Sequence, residues 1–146
     1  SKAAKMLRNI YPNIQYSKVF KSEAVGFEGP DFFNLVAIYE CNLDVREAIE
    51  QLHDIEDQLG RTRKSGDLFN SREIDIDLLL YDDCIFYDQG LDIPRREILQ
   101  FSHVLYPLSL LIPDKFHPVV GAKYRVLWEK MNEDQTNCLA LVDLKM

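Results

Sequence analysis

Residues 72–81 read REIDIDLLLY, and this stretch decides which fold the chain adopts. Acidic and apolar side chains alternate at its centre, which is the pattern of a β-strand with one polar face. In a strand, the period of two places Asp75 and Asp77 on the same side, with the intervening isoleucine on the other. On a helix, the same spacing would separate the two carboxylates by about 200°. We therefore predict a strand over residues 74–81.

Two helices and two strands are predicted upstream of this stretch. The clearer helix begins at Asp44, where Glu47 three residues later completes a capping box, and it ends at Gly60. Its apolar residues recur at helical spacing and are Val45, Ala48, Ile49, Leu52, Ile55 and Leu59. The other helix is amphipathic, with Ala3, Ala4, Leu7 and Ile10 at helical spacing and the pattern already present at residue 2. The two strands cover Ile14–Lys21 and Phe33–Cys41.

Shorter elements are predicted downstream. They are β-prone pieces at residues 85–87 and 91–93, helices at 95–99, 104–111 and 123–131, and a late strand at 138–142. From residue 2 to residue 81 the order is helix, strand, strand, helix, strand. This is the order of a ferredoxin-like α+β sandwich, an antiparallel sheet packed with helices, whose first strand is missing from this chain. We expect a single domain over residues 1–146.

Composition and charge argue against several classes of protein. Of the 146 residues, 47% are hydrophobic and 28% charged, as in an ordinary globular domain. The net charge of −7 argues against binding to a nucleic-acid backbone or an anionic membrane. No apolar run approaches the roughly 18 residues that span a bilayer. The three cysteines form no C-x-x-C pair, so we expect a cytoplasmic protein without a disulfide framework. The sequence leaves the oligomeric state open.

Asp75 and Asp77 are candidate ligands for Mg²⁺, which takes one or two carboxylates and completes its shell with water and phosphate oxygens. A basic segment precedes them in an otherwise acidic chain, and its cations are Arg61, Arg63, Lys64 and Arg72. Guanidinium groups bind phosphate oxygens bidentately. Each feature alone also fits a structural role, either a half-buried strand with solvated acids or a solvated basic loop. Together they predict a magnesium and phosphate site.

The motif extends well beyond the two aspartates. GRTR at residues 60–63 precedes REIDID at 72–77, and further matching runs are FKSE at 20–23, GPDFFN at 29–34, LDIP at 91–94 and VLYPL at 104–108. In these runs the chain resembles the 6-hydroxymethyl-7,8-dihydropterin pyrophosphokinase family of folate biosynthesis. The resemblance implies that the hydroxymethyl oxygen of the pterin attacks the β-phosphorus of ATP and that AMP leaves. ATP and the pterin are the small-molecule partners it implies.

The resemblance also implies roles for individual residues. Asp75 and Asp77 would hold two Mg²⁺ ions, and Arg61 and Arg72 would steady the transferring group. The residues matching ATP contacts are Glu56, Arg63, Phe69 and Arg95. The residues matching the pterin pocket are Ser22, Val25, Phe32, Asn34 and His103. No side chain is assigned as a general base.

The chain departs from the commonest family pattern near the downstream part of the site. Arg95, Phe101 and His103 stand where that pattern has His, Arg and Phe, and the first strand with its Gly-Ser-Asn turn has no counterpart. Two alternatives stay open on these grounds. One is a catalytically weakened relative that binds nucleotide or pterin without turnover. The other is a ferredoxin-like module that binds RNA or a protein, although the chain lacks the aromatic-rich basic strand of such RNA-binding modules.

Overall fold

The computed structural model describes residues 2–22, 32–61, 75–88 and 90–134, and within these ranges the chain is α+β. The helices are α1 (Lys2–Ile10), α2 (Val45–Glu56), α3 (Glu97–Gln100), α4 (Ser102–Leu111) and α5 (Tyr124–Asp134). The strands are β1 (Gln15–Tyr16), β2 (Phe20–Ser22), β3 (Phe32–Asn34), β4 (Ala37–Ile38), β5 (Phe86–Asp88) and β6 (Leu91–Ile93). The described strands form three two-stranded antiparallel sheets. The predicted class, α+β with antiparallel pairing, is confirmed.

Helix α2 begins as the sequence predicts. The Asp44 carboxylate accepts a hydrogen bond from the N–H of Glu47 at 2.9 Å, and the Glu47 carboxylate accepts one from the N–H of Asp44 at 3.1 Å. The face that α2 buries consists of Ala48, Ile49, Leu52 and Ile55. After Glu56 the chain continues in a π-helical turn, Asp57–Arg61, in which Gly60 has a φ of 119°. This φ favours glycine, so the helical backbone conformation is interrupted at Gly60, four residues after the predicted helix has already left α-helical geometry at Glu56.

The two upstream strands are each interrupted, so that they form two separate short ladders. β1 pairs with β4 and β2 pairs with β3, both antiparallel. Between these ladders the three residues 17–19 lie opposite the two residues 35–36. The N–H of Ser17 donates to the carbonyl of Val36 at 2.8 Å, and the N–H of Val36 donates to Ser17 Oγ at 2.9 Å. Because a serine hydroxyl takes the place of a carbonyl acceptor here, the prediction of two continuous strands is wrong.

The predicted strand around the two aspartates is also wrong. Residues 75–81 belong to no ladder. The N–H of Ile76 donates to the carboxylate of Glu56 at 2.8 Å, and the carbonyl of Leu79 accepts from the N–H of Arg95 at 2.9 Å. A strand requires regular pairing with a neighbouring strand. These backbone groups bond instead to a side chain and to a residue outside any strand.

The predicted downstream elements are confirmed with small shifts in their ends. β5 and β6 pair as an antiparallel hairpin, and Gly90 in its turn has a φ of 82°. α3, α4 and α5 lie within three residues of the predicted helix ends. The late strand predicted at residues 138–142 lies outside the described residues.

The chain groups into two compact units, and the first contains Ser1–Ile14 and Tyr39–Leu78. Its helices α1 and α2 contact each other. The rings of Tyr11 and Tyr39 stack with centroids 4.3 Å apart, and the Tyr11 hydroxyl donates to Gln51 Oε1 at 2.5 Å. Ala3 and Leu7 are the residues that α1 buries, as its spacing predicts.

The second unit contains Gln15–Ile38 and Leu79–Met146. Helices α4 and α5 pack together in it, with the rings of Tyr106 and Trp128 4.5 Å apart. Phe20 of β2 meets Tyr106 edge to face at 5.5 Å. Its buried cluster consists of Val36, Ile98, Leu105, Leu108 and Tyr124. None of the described helices is long and apolar enough to cross a membrane.

Candidate active site

The two aspartates of the motif are exposed to solvent. From Asp75 to Leu78, exposed and partly buried residues alternate, so that Asp75 and Asp77 are exposed while Ile76 and Leu78 are partly buried. This is the period of two that the sequence predicts, although no ladder forms. Within residues 2–22, 32–61, 75–88 and 90–134, no three His, Cys, Asp or Glu side chains form a metal-binding group. Two carboxylates fit Mg²⁺ that is bound together with a polyphosphate, since phosphate and water supply its remaining oxygens.

Glu56 fixes the backbone between the two aspartates. It is only 5% exposed at the end of α2, and its Oε2 accepts the hydrogen bond from the N–H of Ile76 at 2.8 Å. A buried carboxylate needs hydrogen-bond partners to offset its desolvation, and the N–H of Ile76 needs an acceptor because no strand supplies one. The end of α2 therefore positions the segment that carries Asp75 and Asp77. The sequence did not assign this role to Glu56.

Most of the basic segment lies outside the described residues. The backbone of Arg61 closes the π-helical turn that follows α2. Its side chain is not among those described, and Arg63, Phe69 and Arg72 fall in the undescribed range 62–74. Their assignments stay predictions.

The residues predicted for the pterin pocket lie partly on the β2–β3 hairpin. Asn34 ends β3 opposite Phe20 and is partly buried. Ser22 and Phe32 are cross-strand partners at the other end of the same ladder, where only their backbones are described. Val25 lies outside the described residues. The ladder thus holds three of the predicted positions on two adjacent strands.

His103 lies in the first turn of α4 and stacks on Phe101. The two ring centroids are 5.3 Å apart with an interplanar angle of 25°. Burial lowers the pKa of His103 below its usual 6.5, so the imidazole is neutral at pH 7. Phe101 is 45% exposed. His103 thus lies in an aromatic pair at the position where the sequence predicts a pterin contact.

Arg95 precedes α3 and is held by Glu97. Its Nε donates to Glu97 Oε2 at 2.7 Å, and its Nη2 lies 2.5 Å from the same oxygen. The N–H of Arg95 also donates to the carbonyl of Leu79, two residues after Asp77 in the chain. The sequence predicted Arg95 as an ATP contact but missed Glu97. The sequence signal for Glu97 is its position, since it is an acid two residues after a candidate phosphate-binding arginine.

The predicted residues are divided between the two compact units. Glu56, Asp75 and Asp77 belong to the first unit, and Glu56 is bonded directly to the residue between the aspartates. Asn34, Arg95 and His103 belong to the second. In the first unit, Glu56 bonds to the segment that carries both aspartates. In the second unit, Asn34 lies on the β2–β3 hairpin, Arg95 lies just before α3, and His103 lies in the first turn of α4.

The family model described as 7,8-dihydro-6-hydroxymethylpterin-pyrophosphokinase matches residues 1–113, more than half of the chain. The chain belongs to this family. Because the match covers more than half of the chain, the predicted family membership is confirmed, and the matched range contains the positions of all residues predicted for the site.

Individual relatives carry names that agree with the pyrophosphokinase family. The 2-amino-4-hydroxy-6-hydroxymethyldihydropteridine pyrophosphokinase of Aquifex aeolicus is 31% identical over 119 residues, which cover 81% of this chain and 73% of that protein. The protein of the same name from Haemophilus influenzae is 30% identical over 118 residues, covering 80% and 72%. The folic acid synthesis protein fol1 of Schizosaccharomyces pombe is 30% identical over 106 residues, covering 72% of this chain and 14% of that protein.

The pyrophosphokinase family match ends at residue 113, but the described structure continues beyond it. Tyr124 of α5 is 1% exposed and belongs to the buried cluster of the second unit. Desolvation and the nearby charge of Asp83 raise the pKa of Tyr124 to about 12. Residues after the matched region therefore contribute to the core against which α3 and α4 pack. Arg95 lies just before α3, and His103 lies in α4.

Proposed function

We propose that this chain transfers the pyrophosphoryl group of ATP to 6-hydroxymethyl-7,8-dihydropterin, releasing AMP, as a step of folate biosynthesis. The pterin hydroxymethyl oxygen forms a bond to the β-phosphorus of ATP, and the bond from that phosphorus to the α–β bridging oxygen breaks. AMP leaves with the electron pair of that bond, and the hydroxyl proton is lost to solvent. Membership of the pyrophosphokinase family and the names of its relatives support the reaction.

The observation that carries the proposal is the pair of exposed aspartates fixed by Glu56. Asp75 and Asp77 would hold two Mg²⁺ ions, which when bound neutralise phosphate charge and orient the polyphosphate. Glu56 holds the backbone between them through Ile76, so the two carboxylates are presented from a defined segment. Positions that are fixed before the substrate binds need no reorganisation during the reaction, and this is how positioning contributes to phosphoryl transfer.

The basic residues have separate duties in this proposal. Arg61 and Arg72 steady the transferring group as its negative charge shifts, because guanidinium groups remain charged at any working pH. Arg63, Phe69 and Arg95 contact ATP. Glu56, the remaining residue predicted from ATP contacts, acts through the hydrogen bond that it accepts from Ile76.

The pterin side of the site uses amide and aromatic groups. The side chain of Asn34 has a donor and an acceptor that can pair with the edge of the heterocycle, and Phe32 and His103 can stack on its face. Ser22 and Val25 line the same pocket. The lowered pKa of His103 favours its neutral form at pH 7, and this supports stacking because the desolvation of an uncharged ring costs less free energy.

We further propose that residues 1–146 act as one pyrophosphokinase-like domain and that the protein works in the cytoplasm. ATP is plentiful there, and the described cysteines, Cys41 and Cys84, are free thiols, as is usual in a reducing compartment.

Replacement of either aspartate tests the metal assignment. We expect Asp75→Asn and Asp77→Asn each to reduce Mg²⁺-dependent AMP formation at least about 100-fold, because each removes a charged ligand at nearly constant volume. Circular dichroism checks that both variants remain folded. Asp54→Asn, which changes an exposed aspartate on α2, is the matched control and should keep full turnover. Full turnover in both Asp75→Asn and Asp77→Asn would contradict the assignment.

A further inference from the structure

Two ion pairs lie side by side before and within α3, and they differ in environment. Arg95 pairs with Glu97, and both side chains are about three-quarters buried, at 25% and 28% exposed. Arg96 pairs with Asp92 at 2.9 Å, but the Arg96 side chain is 71% exposed. Solvent-exposed pairs of the second kind contribute little to stability or orientation. The Arg95–Glu97 pair is the one that restrains its arginine.

The Arg95–Glu97 pair uses only some of the N–H donors of the guanidinium group. A guanidinium group has five N–H donors in a fixed plane. Glu97 Oε2 receives Nε–H and one N–H of Nη2, which form one edge of that plane. The other edge, formed by Nη1 and the second N–H of Nη2, points away from Glu97. Two parallel N–H groups on this edge are the arrangement that binds phosphate oxygens bidentately.

The backbone of Arg95 is fixed as well. Its N–H donates to the carbonyl of Leu79 at 2.9 Å, and Leu79 follows Asp77 by two residues. The residue is therefore held at two points, by its backbone to Leu79 and by its side chain to Glu97. Arginine side chains have many rotamers, and a ligand that binds a free one must order it at a cost in affinity. A restrained Arg95 avoids that cost.

We propose that Glu97 is a positioning residue that holds the guanidinium of Arg95 ready for the polyphosphate of ATP. The inference rests on the proposed function for its ligand, but it concerns a residue to which no role in the reaction has been assigned. A carboxylate near a polyphosphate would by itself repel it. The Glu97 carboxylate can lie near the polyphosphate because it is paired with the guanidinium of Arg95. Glu97 contributes by orienting Arg95, not by its own charge.

The test compares Glu97→Ala with Glu97→Gln. We expect Glu97→Ala to raise the KM for ATP, and the Kd of its α,β-methylene analogue with Mg²⁺, about three- to tenfold, while kcat and the KM for the pterin stay within about twofold. Glu97→Gln should recover most of this loss, because the amide oxygen still accepts from Nε of Arg95. Asp92→Ala, which breaks the neighbouring exposed pair, is the matched control and should leave the Kd unchanged.

A second comparison shows whether Glu97 acts through Arg95. In an Arg95→Ala background, adding Glu97→Ala should not weaken analogue binding further. An unchanged or tighter Kd in Glu97→Ala alone, or the same loss with and without Arg95, would overturn the proposal. Wild-type protein that binds the analogue yet forms no AMP would contradict the proposed transfer only, since the effect of Glu97 is still read from the Kd.

Discussion

His117 is a buried side chain whose hydrogen bonds depend on its protonation state. It is 3% exposed, and its Nδ1 accepts hydrogen bonds from the N–H groups of Val119 and Val120, each at 3.2 Å. The neutral imidazole must therefore carry its proton on Nε2. Protonation of Nδ1 would abolish both bonds. Burial also lowers the pKa of His117 below its usual 6.5, which acts in the same direction.

We predict that this arrangement destabilises the protein in mild acid. Because the pKa of His117 is lower in the folded than in the unfolded state, its contribution is complete above about pH 6.5. The contribution is lost as the pH falls from there through the folded-state pKa. Urea unfolding at pH 7.5 and pH 5.0 should show a drop in the free energy of unfolding. His103, whose pKa is also lowered by burial, adds to this drop.

The His117→Asn variant isolates the contribution of His117. Asparagine keeps an acceptor close to the position of Nδ1 but does not titrate, so the loss of stability between the two pH values should be smaller than in wild type. His53→Asn changes an exposed histidine on α2 and serves as the control. An identical acid loss in wild type and His117→Asn would refute this role of His117.

At the scale of elements, the contact between the end of α2 and the aspartate segment matters most. Helix propensity and capping determine where α2 begins, but the position of its last turn matters because Glu56 reaches Ile76 from there. The bond joins two segments separated by 20 residues in the chain. The helix thus contributes to the site through its carboxyl-terminal end.

Removing this carboxylate should affect both stability and turnover. We predict that Glu56→Ala lowers the free energy of unfolding by about 1–3 kcal/mol, since it leaves the Ile76 N–H without its acceptor. It should also reduce AMP formation, because the segment carrying the aspartates loses its restraint. Glu56→Gln keeps an acceptor oxygen and should recover most of the stability. Urea unfolding and the AMP assay measure the two effects, and wild-type values for both in Glu56→Ala would contradict the anchoring role.

The sequence predicted helices better than strands, for a physical reason. The capping box of α2 and most of its buried face depend on residues within the helix and are found in the structure, although α2 ends at Glu56 and Gly60 interrupts the π-helical turn that follows. A strand depends on its neighbours. The alternation around Asp75 and Asp77 correctly predicted which residues are exposed, but it could not show that Ile76 bonds to a glutamate side chain. The interruption of the strands at Ser17 likewise depends on a partner 19 residues away.

At the scale of the whole molecule, motif spacing indicated the family, and the family match confirmed it. The sequence could place Asp75 and Asp77 in one motif with the preceding arginines because residue type and spacing carry that information, whereas Glu56 was assigned as an ATP contact only through the family resemblance. It could not reveal the Arg95–Glu97 pair or the stacking of His103 on Phe101, since these depend on how α3 and α4 begin. Nor could it show that Tyr124, beyond the matched region, completes the core of the second unit.

The transfer of a pyrophosphoryl group, and not of a single phosphoryl group, is the central claim, and the nucleotide product tests it most directly. Purified protein is mixed with ATP, Mg²⁺ and 6-hydroxymethyl-7,8-dihydropterin, and AMP, ADP and the pterin product are separated and quantified. Attack at the β-phosphorus predicts AMP and pterin pyrophosphate in equal amounts, with AMP formation dependent on the pterin. ADP as the main product, or no AMP at high protein concentration, would contradict the account.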